Sequence, residues 1–144
     1  MMRVLFLLLA VPMIAVADAP KTKVAVIVVL ASEDGDAPDP RLKNIADEVR
    51  KLNPNLKGFR IKSTMIRELP ENEKATFPLV DMKSVEITVK QSMDKEGKTT
   101  LAVAPPEQGE IVFRLAANKY LPIVTRVQTE RKERVILAIR IQRD

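Results

Sequence analysis

Residues 23–31 read KVAVIVVLA, nine positions in which Lys23 alone is charged. Val and Ile are branched at Cβ, which stiffens χ1 and suits a pleated strand. Alternating positions of a strand point to opposite faces. This run is apolar on both sets, so it predicts a central strand covered on each side. A sheet must therefore have one layer above it and another below.

The cover on one side is predicted from the next segment. After the acidic turn Ser32-Glu33-Asp34-Gly35-Asp36-Ala37-Pro38, Asp39 can cap a helix and Pro40 suits its first position. Leu42, Ile45, Ala46, Val49 and Leu52 then recur at helical spacing, and Arg50 and Lys51 fall in the last turn, where cations complement the helix dipole. Asn53-Pro54 stops the helix, because proline has no N–H and cannot continue the ladder. The spacing predicts a single amphipathic helix over about 40–52.

From Lys57 the period becomes two. Phe59, Ile61 and Met65 alternate with Arg60 and Lys62 near 58–67; Ala75, Phe77 and Leu79 form a shorter run; Val85, Ile87, Val89 and Met93 follow. The loop Asp94-Lys95-Glu96-Gly97 predicts a hairpin into 98–104, with Leu101 and Val103 on the core face. Past the breaker at 105–109, Ile111, Phe113 and Leu115 share a face, then come strands at 120–128 and 134–142. The last has Val135, Leu137, Ile139 and Ile141 inward, with Arg134, Arg140 and Gln142 among the outward residues. The expected fold is α+β but mostly β: about eight strands in an antiparallel meander or sandwich, with the helix after the first strand.

Residues 1–17 read as a secretory signal peptide. Arg3 begins it, an apolar run follows over 4–16, and small residues end it. That run of about 13 residues spans roughly 20 Å as helix, against a hydrocarbon core near 30 Å, so it predicts a cleaved leader and no stable anchor. Cleavage after Ala17, with Asp18 as the new N-terminus, is preferred over cleavage after Ala19, which would put Pro20 first. Residues 18–144 then form a single mostly-β domain, periplasmic or extracellular.

Composition excludes several chemistries. The 144 residues contain no Cys, so neither a disulfide scaffold nor lipidation through an N-terminal Cys is possible. They contain no His, the commonest general base and metal ligand. Ser32, Ser63, Ser84 and Ser92 lack the strand–elbow–helix setting of a nucleophile, and the four glycines are isolated, so no phosphate loop can be read. The cluster Glu33, Asp34, Asp36 and Asp39 lacks the twelve-residue EF-hand spacing and reads as a solvated turn with a helix cap. No catalytic residue, cofactor or metal is therefore expected. Aromatics are 3% of the chain, too few to stack nucleic acid bases, so nucleic acid is not expected as a partner.

The net charge is +5. Its most concentrated expression is Arg126, Arg131, Lys132 and Arg134 around the last hairpin, with Arg60 and Lys62 as a smaller outward pair. These six are the candidate contacts for an anionic ligand, polymer or membrane surface.

The order of features resembles a loose group of short exported bacterial proteins without an assigned biochemical function. The landmarks are the apolar first strand, Pro38-Asp39-Pro40-Arg41-Leu42, the strand opening Gly58-Phe59-Arg60-Ile61, and the terminal Arg134-Val135-Ile136-Leu137-Ala138-Ile139. The resemblance spans roughly 24–142 and implies an exported β-rich protein; it brings no site residues with it. The function expected is a non-catalytic interaction or accessory module of the envelope or a secretion assembly, with another envelope or secreted protein as partner. The alternative is binding of an anionic ligand through the basic hairpin.

Overall fold

The computed structural model describes residues 20–35 and 39–143. Eight strands follow in chain order: β1 (Lys21–Ser32), β2 (Gly58–Pro70), β3 (Lys74–Pro78), β4 (Ser84–Gln91), β5 (Lys98–Ala104), β6 (Ile111–Ala116), β7 (Tyr120–Gln128) and β8 (Arg134–Gln142). Between β1 and β2 lie a 3₁₀ turn (Pro40–Leu42) and helix α1 (Lys43–Leu52). The strands make two antiparallel four-stranded sheets, ordered β2-β1-β8-β7 and β3-β4-β5-β6. The second sheet is a plain meander. The first is closed by the last hairpin, which lays β8 beside β1.

Three layers result, and β1 sits in the middle one. Val24, Val26, Val28 and Leu30 face the second sheet, with Val135, Leu137, Ile139 and Ile141 of β8 beside them and Phe77, Ile87 and Leu101 opposite. Ile27, Val29 and Ala31 face the other way, where Ile136, Ala138 and Phe59 join Leu42, Ile45, Ala46 and Val49 from the helix segment. Burying one such Leu, Ile or Val is worth about 1.5–3 kcal/mol. The strand apolar on both faces is thus central, as its sequence predicts.

Three residues of predicted stripes lie outside the core, one of them Met93, which follows the end of β4 at Gln91. Leu52 is 77% exposed. It is the last residue of the helix, before the Asn53 cap, and lines the cleft at that end of the sandwich. Ile111 is 39% exposed although Leu115 on the same face is only 8% exposed. β6 is an edge strand, so nothing beyond it covers its first residues.

A further correction concerns β2. Against β1, Val28 pairs with Ser63 and Val29 with Ile61, which leaves Lys62 as an extra residue. A bulge of this kind inverts the alternation of faces. Phe59 and Ile61 accordingly pack under the helix, whereas Met65 and Leu69 pack between the sheets. The alternation alone predicts Phe59, Ile61 and Met65 on one face. Among the described residues no helix is long and apolar enough to cross a membrane.

Candidate functional site

The antiparallel pairing of β1 with both neighbours brings three chain reversals to one end of the sandwich. Ser32 pairs with Gly58 and Ala31 with Arg134. The end of β1, the α1–β2 loop and the β7–β8 hairpin therefore meet there. Gly58 is needed for this approach, since a Cβ on it would stand 2.8 Å from the Asp34 carbonyl oxygen. A cleft of about 500 Å³ opens among these segments. Arg131, Lys132 and Arg134 contribute from the hairpin side, and Glu33, Asp34 and Asn55 from the other segments.

The six candidate cations divide into three groups. Arg131, Lys132 and Arg134 line this cleft. Arg60 and Lys62 border a neighbouring hollow of about 270 Å³, shared with Arg131 but also with Asp81, Glu130 and Glu133. Arg126 stands apart from both. Arg60 is already engaged: its Nε and Nη2 each lie 2.9 Å from Glu133 carboxylate oxygens. That hydrogen bonding holds the Glu133 carboxyl below its ordinary value and raises the Arg60 guanidinium. Lys62 donates to the Leu79 carbonyl, and Arg134 to the Thr125 carbonyl at 3.2 Å. Cations and carboxylates thus share the cleft, which suits a polar ligand and weakens the pull on a simple anion.

The acidic turn is divided too. Asp39 accepts from the Arg41 backbone N–H at 2.9 Å and from its guanidinium at 2.7 Å, and these bonds, led by the side-chain one, bring its carboxyl down to about 2. It caps the 3₁₀ turn, as its place before Pro40 predicts. Glu33 and Asp34 are exposed, and Asp36 lies outside the described residues. Among the described residues no group of three or more Asp or Glu converges as a metal site would require. Ala17 and Asp18, the expected cleavage pair, also lie outside the described residues.

A different feature emerges at the sheet edges. An unpaired edge exposes a row of backbone donors and acceptors to any incoming strand, and proteins usually block it. On one side of the sandwich, Arg67 of β2 donates to the Thr76 carbonyl of β3 at 3.0 Å and lies over the Phe77 ring, while Lys62 reaches Leu79 just past β3. On the other side β7 is blocked. Pro122 has no N–H, the Arg126 N–H donates to Gln108 Oε1 at 3.4 Å, and a bulge turns residues 125–127 away from the β8 ladder. β6 has no proline or bulge, and its one charged residue, Arg114, is drawn toward Asp94 and Glu96 of the β4–β5 loop. Among the described residues no side chain or second strand hydrogen-bonds its outer backbone, and Val112 is 59% exposed. The signal was present in the sequence as Ile111-Val112-Phe113, three apolar residues without proline or charge, but only the pairing order reveals that this strand is an edge.

No family model, curated protein or solved structure matches the chain.

Proposed function

We propose that this chain is an exported, non-catalytic interaction module of the cell envelope or a secretion assembly, and that it takes an extended strand of another exported protein onto the edge of β6. The observation that carries the reading is the β6 edge itself: among the described residues no side chain or second strand hydrogen-bonds its outer backbone, and Val112 stands exposed on it. Strand addition draws affinity from main-chain hydrogen bonds and specificity from alternate side chains. Ile111 and Phe113 would meet such a strand on the inner face and Val112 on the outer. The leader supports the compartment, and the lack of Cys and His supports a role without covalent chemistry. Affinity purification of the tagged full chain from the envelope fraction tests this, beside the variant Val112→Lys, which charges an exposed position without disturbing the core. The partner should come down with the native chain and fall by about tenfold with the variant. Equal recovery from both, or recovery of the free chain alone, would refute the reading.

The convergence of Arg131, Lys132 and Arg134 at one cleft favours a second reading, binding of an anionic ligand, polymer or membrane surface. Binding to anionic vesicles and to a soluble polyanion should then weaken as salt rises and with Lys132→Ser. Binding that ignores salt, or none at low salt, removes it.

A further inference from the structure

An apolar edge left open exposes a chain to uncontrolled association, so some occupant must cover β6 before a partner arrives. We infer that the occupant is the β6 strand of a second copy, and that the resting form of the protein is a two-fold dimer with β6 paired antiparallel to itself about Val112. The inference rests on the reading of β6 as the open edge and goes beyond it in naming what covers that edge.

The sequence around Val112 is complementary to its own reverse. Residues 110–114 are Glu110-Ile111-Val112-Phe113-Arg114. In a two-fold antiparallel pair centred on Val112, Glu110 stands opposite Arg114 of the copy, Ile111 opposite Phe113, and Val112 opposite itself. Directly opposed residues share a face of the sheet, so each match is between side chains that can touch. Ile111, Phe113 and Leu115 belong to the inner face, where Leu115 is buried, Phe113 half-buried and Ile111 exposed. The copy would extend the cover over the two that are incomplete. Arg114 belongs to the outer face with Val112, Glu110 directly precedes the strand, and both are exposed.

The neighbouring registers are worse. Centring on Phe113 sets Val112 against Arg114, and centring on Arg114 sets two guanidinium groups against each other. Arg114 already meets Asp94 at 2.7 Å and Glu96 at 3.3 Å, both through Nη2 and both toward the β4–β5 loop, which leaves its Nε and Nη1 without a partner among the described residues. With five donors it can donate to a further carboxylate. Glu110 forms no ion pair among the described residues and is free to supply that carboxylate. An isologous interface of this kind is the commonest way in which soluble chains associate. It joins the two meanders into one sheet, ordered β3-β4-β5-β6-β6-β5-β4-β3, with no open β6 edge.

Sedimentation of the full chain over a wide range of concentration tests the inference, with two probes of register. Glu110→Arg places like charges opposite each other twice per interface, and Glu110 is exposed with no side-chain hydrogen bond or ion pair among the described residues, so the change should weaken the dimer by about tenfold or more while leaving the fold intact. The chain has no Cys, so Val112→Cys introduces a single thiol that faces its own copy across the two-fold axis. On mild oxidation it should form a disulfide dimer about tenfold faster than the exposed controls Ile66→Cys and Met82→Cys. A chain that stays monomeric at every concentration, a dimer indifferent to Glu110→Arg, or a Val112→Cys rate equal to the controls would each overturn the inference. Partner capture separates this from failure of the proposed function. Glu110→Arg frees the edge and keeps capture, whereas Val112→Lys loses both.

Discussion

Thr125 offers the sharpest test of how β7 is held. It is fully buried, and it stands where three residues of β7, 125–127, oppose the single Val135 of β8. The ladder is broken there, and the Thr125 hydroxyl replaces what the ladder lacks: it donates to the Val135 carbonyl at 2.7 Å and accepts from the Val127 N–H at 3.1 Å. Thr125→Val keeps the shape and removes both bonds, leaving a buried donor and acceptor without partners. A buried unsatisfied group costs about 1–3 kcal/mol, and the added methyl recovers less than one. The net loss should be about 2 kcal/mol, which at this chain length lowers the thermal midpoint by roughly 6–10 °C. Thr125→Ser keeps the hydroxyl and loses one methyl, for about 1 kcal/mol. Urea unfolding of both variants, with the slope m compared against the native chain, is the assay. If Thr125→Val is as stable as the native chain, or more stable than Thr125→Ser, the hydroxyl does not hold the bulge and the account of β7 as a blocked edge loses its main support.

Two other expectations concern the helix and the acid response. Leu42→Ala should cost about 3 kcal/mol, because Leu42 is fully buried under the helix face, whereas Leu52→Ala should change stability by less than about 0.5 kcal/mol; similar losses in denaturant titrations would mean that Leu52 does pack against the sheet. The Glu133 carboxyl is held below its ordinary 4.5 chiefly by hydrogen bonds from Arg60, Asp39 falls from 3.8 to about 2 chiefly through Arg41, and Asp94 is lowered chiefly by the Lys98 backbone N–H and then by Arg114. A depressed carboxyl means that the unfolded chain binds protons first, so stability is complete above about pH 5 and declines as pH falls through 4.5 and below. The urea midpoint should follow that course, with a shallower decline in Glu133→Gln, and an unchanged slope in that variant would remove the Arg60 pair from the account.

Much of the fold was legible because it is written locally. Strands β5, β7 and β8 have the predicted bounds, since each is an alternating apolar run between turn residues, and Asp39 caps where its place before Pro40 says it should. The misread positions all depend on distant partners. Met65 changes face because of one extra residue, Lys62, whose presence as a bulge depends on the register with β1. Leu52 and Ile111 carry the right periodicity but lie beyond the reach of their covering layer. The same limit applies to the site. Arg131, Lys132 and Arg134 are neighbours in sequence and remain neighbours at one cleft, yet Arg60 is engaged by Glu133, 73 positions away.

By itself, then, the amino-acid order determined which segments are strands, that β1 is covered on both faces, and that the chain contains neither Cys nor His. Periodicity and composition are properties of short windows, and short windows suffice for these. Only the tertiary structure decided that β6 is an edge, that β7 is a blocked one, and that Glu33 and Asp34 share a cleft with the basic hairpin. Each of those depends on which strands lie side by side, and antiparallel pairing is settled by packing between segments far apart in the chain, where no local pattern reaches.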